Sequence, residues 1–153
     1  MTAADLERVE TELPDRGAYE ERLAIEAERA RRYRYPLALV LIELDGLDAV
    51  AEQGGEPGVE DVLREVAEVL NGSRFADEAF EIGDGEFAIL LPHTDLAGAE
   101  AAAARMTMQV SASGVVSASW GAASDEGHPG ALHERAVKAL AEGRGGERFA
   151  SSG

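Results

Sequence analysis

Residues 81–92 read EIGDGEFAILLP, two glycines around an acid followed by an apolar run. Glycine supplies the positive φ that tight hairpin turns require. The run FAILLP has the length and composition of a buried strand. Residues 75–82, FADEAFEI, form a shorter and more polar partner. The stretch therefore predicts a β-hairpin turning at Gly83-Asp84-Gly85. An acid in such a turn becomes a metal-ligand candidate when carboxylates from a neighbouring strand converge on it, because hard cations take oxygen ligands. The neighbours decide what the hairpin can do.

The first neighbour is PLALVLIELD at 36–45, a near-continuous apolar run closed by two acids. It reads as a central strand buried on both faces. Before it, Tyr19, Leu23, Ala27 and Ala30 recur at helical spacing, predicting a helix over 16–33 that Pro36 prevents from continuing. Its end carries Arg29, Arg31, Arg32 and Arg34, charges that suit a helix C-terminus. After the strand, GLDAVAEQGGEPG reads as a turn, a short helix and a Gly-rich loop. From Val59 an amphipathic helix follows, with Val62, Leu63, Val66, Ala67 and Leu70 on its apolar face and an end at Asn71-Gly72. Beyond the hairpin, Asp95 caps a helix whose Leu96, Ala99, Ala103, Met106 and Val110 share a face. SGVVSASWGAAS alternates as a strand with Trp120 inward, and a last helix over about 130–142 uses Leu132, Ala136 and Leu140. The order predicts one α+β domain over 1–153, with a lead-in at 1–15. The Gly/Ser-rich tail at 144–153 carries a short edge strand, ERFA.

Composition narrows the function classes. The chain has 153 residues, 45% of them apolar, and a formal net charge of −16. That charge disfavours nucleic acid and anionic membranes, whose binding needs a basic face. Cysteine is absent, which excludes thiolate chemistry and Cys-built zinc sites. His93, His128 and His133 form no metal-ligand pattern except the last two, which straddle a Pro-Gly turn without a third partner and read as surface residues. No apolar stretch approaches the roughly 18 residues of a membrane span, and no signal pattern opens the chain. The expectation is a soluble, cytoplasmic protein.

Taken together, these phrases resemble the GGDEF domain of diguanylate cyclases. ELPDRGAYEERL looks like that family's GLPNRRAFEERL, and PLALVLIELDGLDAVAEQGG like its PLALLLIDLDxFKxINDxxG. VEDVLREVAEVL, FEIGDGEFAILLPHTD, SASWGAAS and LHERAVKALAEGR match further family phrases, so the resemblance covers about residues 8–148. It implies a palm-like βαββαβ core with a central, mostly antiparallel sheet of about five strands flanked by helices. It also implies an activity in which two facing domains, each with GTP and metal ions, make cyclic di-GMP by attack of a 3′-hydroxyl on an α-phosphate.

Carried over residue by residue, the resemblance also shows departures. The family's first metal Asp falls at Glu43. Its Gly-Gly-Asp/Glu-Glu-Phe signature falls at Gly83-Asp84-Gly85-Glu86-Phe87, so Gly85 stands at the metal-binding acid. The guanine-reading Asn falls at Ala51, the guanine-reading Asp at Glu60, and a Lys after the first strand at Asp48. An Asp ahead of the first helix falls at Arg8, and of the C-terminal phosphate-binding pair only Arg144 has a match. The resulting expectation is an inactive cyclase homologue with no catalytic residue, metal or cofactor, in which Glu43, Asp84 and Glu86 are remnants. Arg74-x-x-Asp77 stands where many cyclases carry an inhibitory site, which implies a cyclic di-GMP receptor with Arg74 and Asp77 as ligand-binding residues. Five acids between Asp77 and Glu86 oppose an anionic ligand there. A second reading is an interaction module docking a protein partner or a second copy. An alternative is an active nucleotide cyclase with rearranged metal ligands Glu43, Asp45 and Asp84.

Overall fold

The computed structural model describes residues 13–72, 78–112, 114, 116–125 and 131–143. Helix α1 (Arg16–Tyr33) opens on Asp15, whose carboxylate accepts the Ala18 N–H at 3.0 Å. It closes at Arg34, held left-handed at φ 59° with its N–H on the Ala30 carbonyl. Strand β1 (Leu37–Asp45) follows, and Leu37 through Ile42 are all buried, as the apolar run demands. Helix α2 (Leu47–Asn71) is two helical segments broken at Gly55 (φ 66°, ψ −162°). Pro57 sits in the first turn of the second segment, where a missing N–H costs nothing. The short helix and the amphipathic helix read from the sequence are therefore present, but the Gly-rich loop expected between them is reduced to a kink at Gly55, so the second segment begins ahead of Val59.

Strands β2 (Ala79–Gly83) and β3 (Glu86–Pro92) form the hairpin. Helix α3 (Leu96–Ser111) is capped by Asp95, which accepts the Gly98 N–H at 2.8 Å. Strand β4 (Ser117–Ser124) and helix α4 (Leu132–Gly143) complete the described chain. The sheet order is β2-β3-β1-β4 and every pairing is antiparallel. Among the described residues the sheet has four strands, against an expectation of about five. The edge strand expected at 147–150 lies outside them, as do Arg8, Arg74, Asp77, His128 and Arg144.

The strand period of two divides β1 between two cores. Ala38, Val40, Ile42 and Leu44 pack with Val66, Leu70, Phe87, Ala103, Met106 and Trp120 beneath α2 and α3. Leu37, Leu39 and Leu41 pack with Tyr19, Phe80, Leu90, Leu132 and Ala136 beneath α1 and α4. Each fully buried Leu, Val or Ile here contributes roughly 1.5–3 kcal/mol of burial. The second core is tight at Gly121, where an added Cβ would lie 2.2 Å from the Leu140 nitrogen and 2.7 Å from the Ala136 carbonyl oxygen. Glycine at that position lets α4 lie directly on β4. The two layers fix the C-terminal end of β1 beside the hairpin turn, where the candidate site forms.

Candidate functional site

An open cleft of about 1020 Å³ lies where β1 ends. Its walls are Leu44 and Asp45 of β1, Asp48 and Ala51 of the first α2 segment, and Glu56, Glu60 and Leu63 around and beyond the Gly55 break. Glu81, Ile82, Gly83 and Asp84 of the hairpin close another side, with Asp15 and Arg16 at the edge. Seven carboxylates and one guanidinium line this space. The guanidinium is already engaged, since Arg16 Nε donates to Glu20 at 3.1 Å. Asp45 is held by the Ser119 hydroxyl at 2.8 Å.

The hairpin turn sets the chemistry. Gly85 is buried at φ +72°, and its carbonyl accepts the Leu44 N–H at 2.9 Å. A Cβ on Gly85 would come within 2.6 Å of Leu47 Cδ1. The turn thus uses glycine at 85 for a left-handed backbone pressed against the junction of β1 and α2. Asp84 is exposed at the turn. Glu86 folds back over Gly83, its Oε1 being 2.7 Å from where a Gly83 Cβ would stand.

The acids singled out from the sequence are only partly brought together. Asp45 and Asp84 line the cleft. Glu43 and Glu86 are directly opposite across β1 and β3, so their side chains share a sheet face. Like charges so placed disfavour the pairing unless something lies between them. Among the described residues no three of His, Asp and Glu converge closely enough to hold a metal ion. The rearranged set Glu43, Asp45 and Asp84 does not form such a group. Ala51 and Asp48 both line the cleft and present a methyl and a carboxylate. The described residues of the cleft do not fit a catalytic metal pair.

Two polar arrangements escaped the sequence reading. His133 was expected at the surface, yet it is half-buried and hydrogen-bonded through Nδ1 to the buried Tyr19 hydroxyl at 2.8 Å. Burial pushes the Tyr19 hydroxyl well above the usual phenol range. Glu26 is also buried, although its helix reads as charged throughout. Arg22 donates to both oxygens of Glu78, at 3.2 and 2.8 Å, and reaches Glu26 at 3.2 Å. Burial, and then the neighbouring Glu78, raise the Glu26 carboxyl above its ordinary value. The only sequence signal was the Arg22, Glu26, Arg29 spacing, which places all three near one helix face.

A four-stranded antiparallel sheet in βαββαβ order, with a hairpin turning over an open cleft, defines a palm-type α+β domain. The chain belongs to the GGDEF family: the pattern described as diguanylate cyclase, GGDEF domain, matches residues 9–139. A probable diguanylate cyclase, DgcE of Escherichia coli (strain K12), is 32% identical over 101 residues, covering 65% of this chain and 9% of that protein. This chain thus matches under a tenth of that relative's length. The coiled coil and GGDEF domain of DgcB from Caulobacter crescentus, solved in complex with c-di-GMP, superposes with a TM-score of 0.82 at 22% identity over 92% of this chain and 81% of that one. The GGDEF domain of FimX from Pseudomonas aeruginosa gives 0.77 at 22% identity, covering 94% and 93%. Diguanylate cyclase SiaD in complex with its activator SiaC, from the same species, gives 0.75 at 26% identity, covering 88% and 56%. The solved structures at 22% identity speak to the fold alone. Among the described residues no helix is long and apolar enough to cross a membrane.

Proposed function

We propose that this domain is a catalytically inactive member of its family that serves cyclic di-GMP signalling as a regulatory interaction module. The observation that carries the reading is Gly85. At the position where the family's signature places an acid, this chain has a buried glycine in a left-handed conformation. No substitution of rotamer supplies a carboxylate from that atom. The cleft adds an electrostatic argument. A nucleotide phosphate placed about 7 Å from one of its carboxylates meets roughly 2 kcal/mol of repulsion at an effective dielectric near 20. With seven such groups and one engaged arginine, a triphosphate would need counter-charge from elsewhere. Ala51 offers a base edge no hydrogen bond, and Asp48 repels the phosphates a lysine would attract.

The diguanylate cyclase SiaD, solved in complex with its activator SiaC, is consistent with the module reading, since a protein of this fold takes part in a protein assembly. A second reading rests on the resemblance of Arg74-x-x-Asp77 to the family's inhibitory motif. In it Arg74 grips the ligand by charge-assisted hydrogen bonds and Asp77 accepts from guanine N–H groups. Calorimetric titration with GTP, ATP and cyclic di-GMP in the presence of Mg²⁺ tests both. The module reading expects no heat with GTP or ATP. The receptor reading expects heat with cyclic di-GMP alone, abolished by Arg74→Ala and weakened less by Asp77→Ala. GTP binding at micromolar concentration would overturn the first, and silence toward cyclic di-GMP would overturn the second.

A further inference from the structure

Arg22 on α1 holds two carboxyl groups with one nitrogen. Its Nη2 lies 2.8 Å from Oε2 of Glu78 and 3.2 Å from Oε2 of Glu26. The two oxygens are therefore within about 6 Å of each other, the range in which one negative charge opposes the ionisation of another. Their surroundings differ. Glu26 is 3% exposed and sits in the middle of a helix, so its carboxylate has little access to water. Glu78, 14% exposed, stands immediately ahead of β2. The other charged and titratable groups around Glu26, among the described residues, are Arg29 and Tyr35. Arg29 approaches to 3.8 Å but is 55% exposed, where solvent weakens its pull. The Tyr35 hydroxyl hydrogen-bonds Glu26 from the α1–β1 connection. Two carboxyls thus divide one close guanidinium, and both burial and Glu78 favour a proton on Glu26. A protonated Glu26 can donate its O–H to Glu78 while Glu78 still accepts from Arg22.

This cluster sits at the root of a strand with few other ties. β2 is at the edge of the sheet, paired with β3 alone, and its register shifts between Glu81 and Gly83. On the other side it meets α1 and the turn before it: the Glu81 N–H donates to the Pro14 carbonyl at 2.9 Å, and the Phe80 ring packs on Tyr19 with centroids 5.8 Å apart. Glu81, Ile82 and Gly83 of the same strand form one wall of the acid-rich cleft. We infer that Arg22, Glu26 and Glu78 form a proton-sensitive latch that holds the start of β2 against α1, closed when the two carboxyls carry one proton between them and loosened when both are charged. Loss of that proton leaves two anions on one guanidinium. Glu26 is fixed within its helix, so Glu78 is the group that swings toward water, and the start of β2 goes with it. The cleft wall then responds to pH, which regulates whatever docks there. The latch acts whether or not the domain is catalytically inactive, so it stands apart from the proposed function.

The test is amide hydrogen exchange of the full chain over a series of pH values. After correction for the intrinsic pH dependence of exchange, the amides of β2, that of Glu81 among them, should lose protection as pH rises above 4.5. The loss should approach about tenfold per pH unit, the slope for one bound proton. The amides of β1, at the centre of the sheet, should stay better protected throughout. Glu26→Gln keeps the donor and the neutrality of the protonated form, so it should abolish the pH dependence in β2. Glu78→Gln removes one of the two opposed charges and should weaken that dependence, which keeps the test decisive if the first variant fails to fold. The inference is overturned if β2 protection in the natural chain does not change with pH. It is also overturned if the dependence survives undiminished in whichever variant folds, or if β2 exchanges only together with β1.

Discussion

Replacing Gly85 by aspartate puts a carboxylate at the position that the proposed reading assigns to the family's acid, and tests whether this hairpin can accept it. The backbone at 85 lies at φ +72°, where a residue with a Cβ pays roughly 1–2 kcal/mol. The new Cβ would approach Leu47 Cδ1 to 2.6 Å. That atom is the end of a flexible side chain, so Leu47 yields by a rotamer change costing of order 0.5–1.5 kcal/mol. Gly85→Asp should therefore destabilise the domain by about 1.5–3.5 kcal/mol, and Gly85→Ala by a similar amount, since both costs come from Cβ. Asp84→Gly, at an exposed site, should cost under about 1 kcal/mol. Urea denaturation with an unchanged slope would read these values as shifts in midpoint. The reversed double variant should fold less stably than the natural chain and still form no cyclic di-GMP, because Ala51 and Asp48 remain. A Gly85→Ala variant as stable as the natural chain would refute the turn geometry on which the site reading rests.

Gly121→Ala should be among the most damaging small changes, costing about 3 kcal/mol or more, because backbone atoms of α4 and not a movable side chain block the new methyl; a circular-dichroism melt close to that of the natural chain would contradict this. Val40→Ala and Ile42→Ala, at 0% and 1% exposure in β1, should each cost roughly 1–4 kcal/mol in denaturant titrations, and two neutral outcomes would remove β1 from the centre of the core. The Glu26 carboxyl is raised above its ordinary value of 4.5, so the fold prefers its protonated form. Its favourable contribution is complete below pH 4.5 and is lost as pH rises through the elevated value. Glu26→Gln should remove that loss, so the variant gains stability relative to the natural chain as pH rises above 4.5, and a difference that does not change with pH there would show that Glu26 ionises normally.

Much of the fold was legible because two signals dominate it. The run 37–44 is too apolar for anything but a strand covered on both faces, and both α1–α4 and α2–α3 layers cover it. The hairpin was legible from its glycines, although only Gly85 adopts positive φ and Gly83 extends β2. The break at Gly55 was also readable, since Gly-Gly followed by Pro two residues later cannot sustain one helix. Tertiary polar contacts were less accessible. Nothing local to His133 indicates that Tyr19, 114 residues away, will meet it, and nothing local to Glu26 indicates that Glu78, from the start of the hairpin, will share Arg22 with it. The same limit applies to the candidate site. The sequence showed which carboxylates were present, but only the register showed that Glu43 faces Glu86 while Asp45 and Asp84 line the cleft.

The central claim is that this palm-type domain no longer performs its family's reaction. Its most direct test is turnover of GTP with Mg²⁺ or Mn²⁺ by the chain fused to a dimerising coiled coil, so that two domains can face each other and failure to dimerise cannot explain a negative result. Product would be followed by chromatography and mass detection of cyclic di-GMP. The account expects none above a no-protein control over hours at millimolar GTP. Steady formation of cyclic di-GMP that scales with protein concentration would contradict it, and would require the cleft carboxylates to gather metal ions in an arrangement other than the one described.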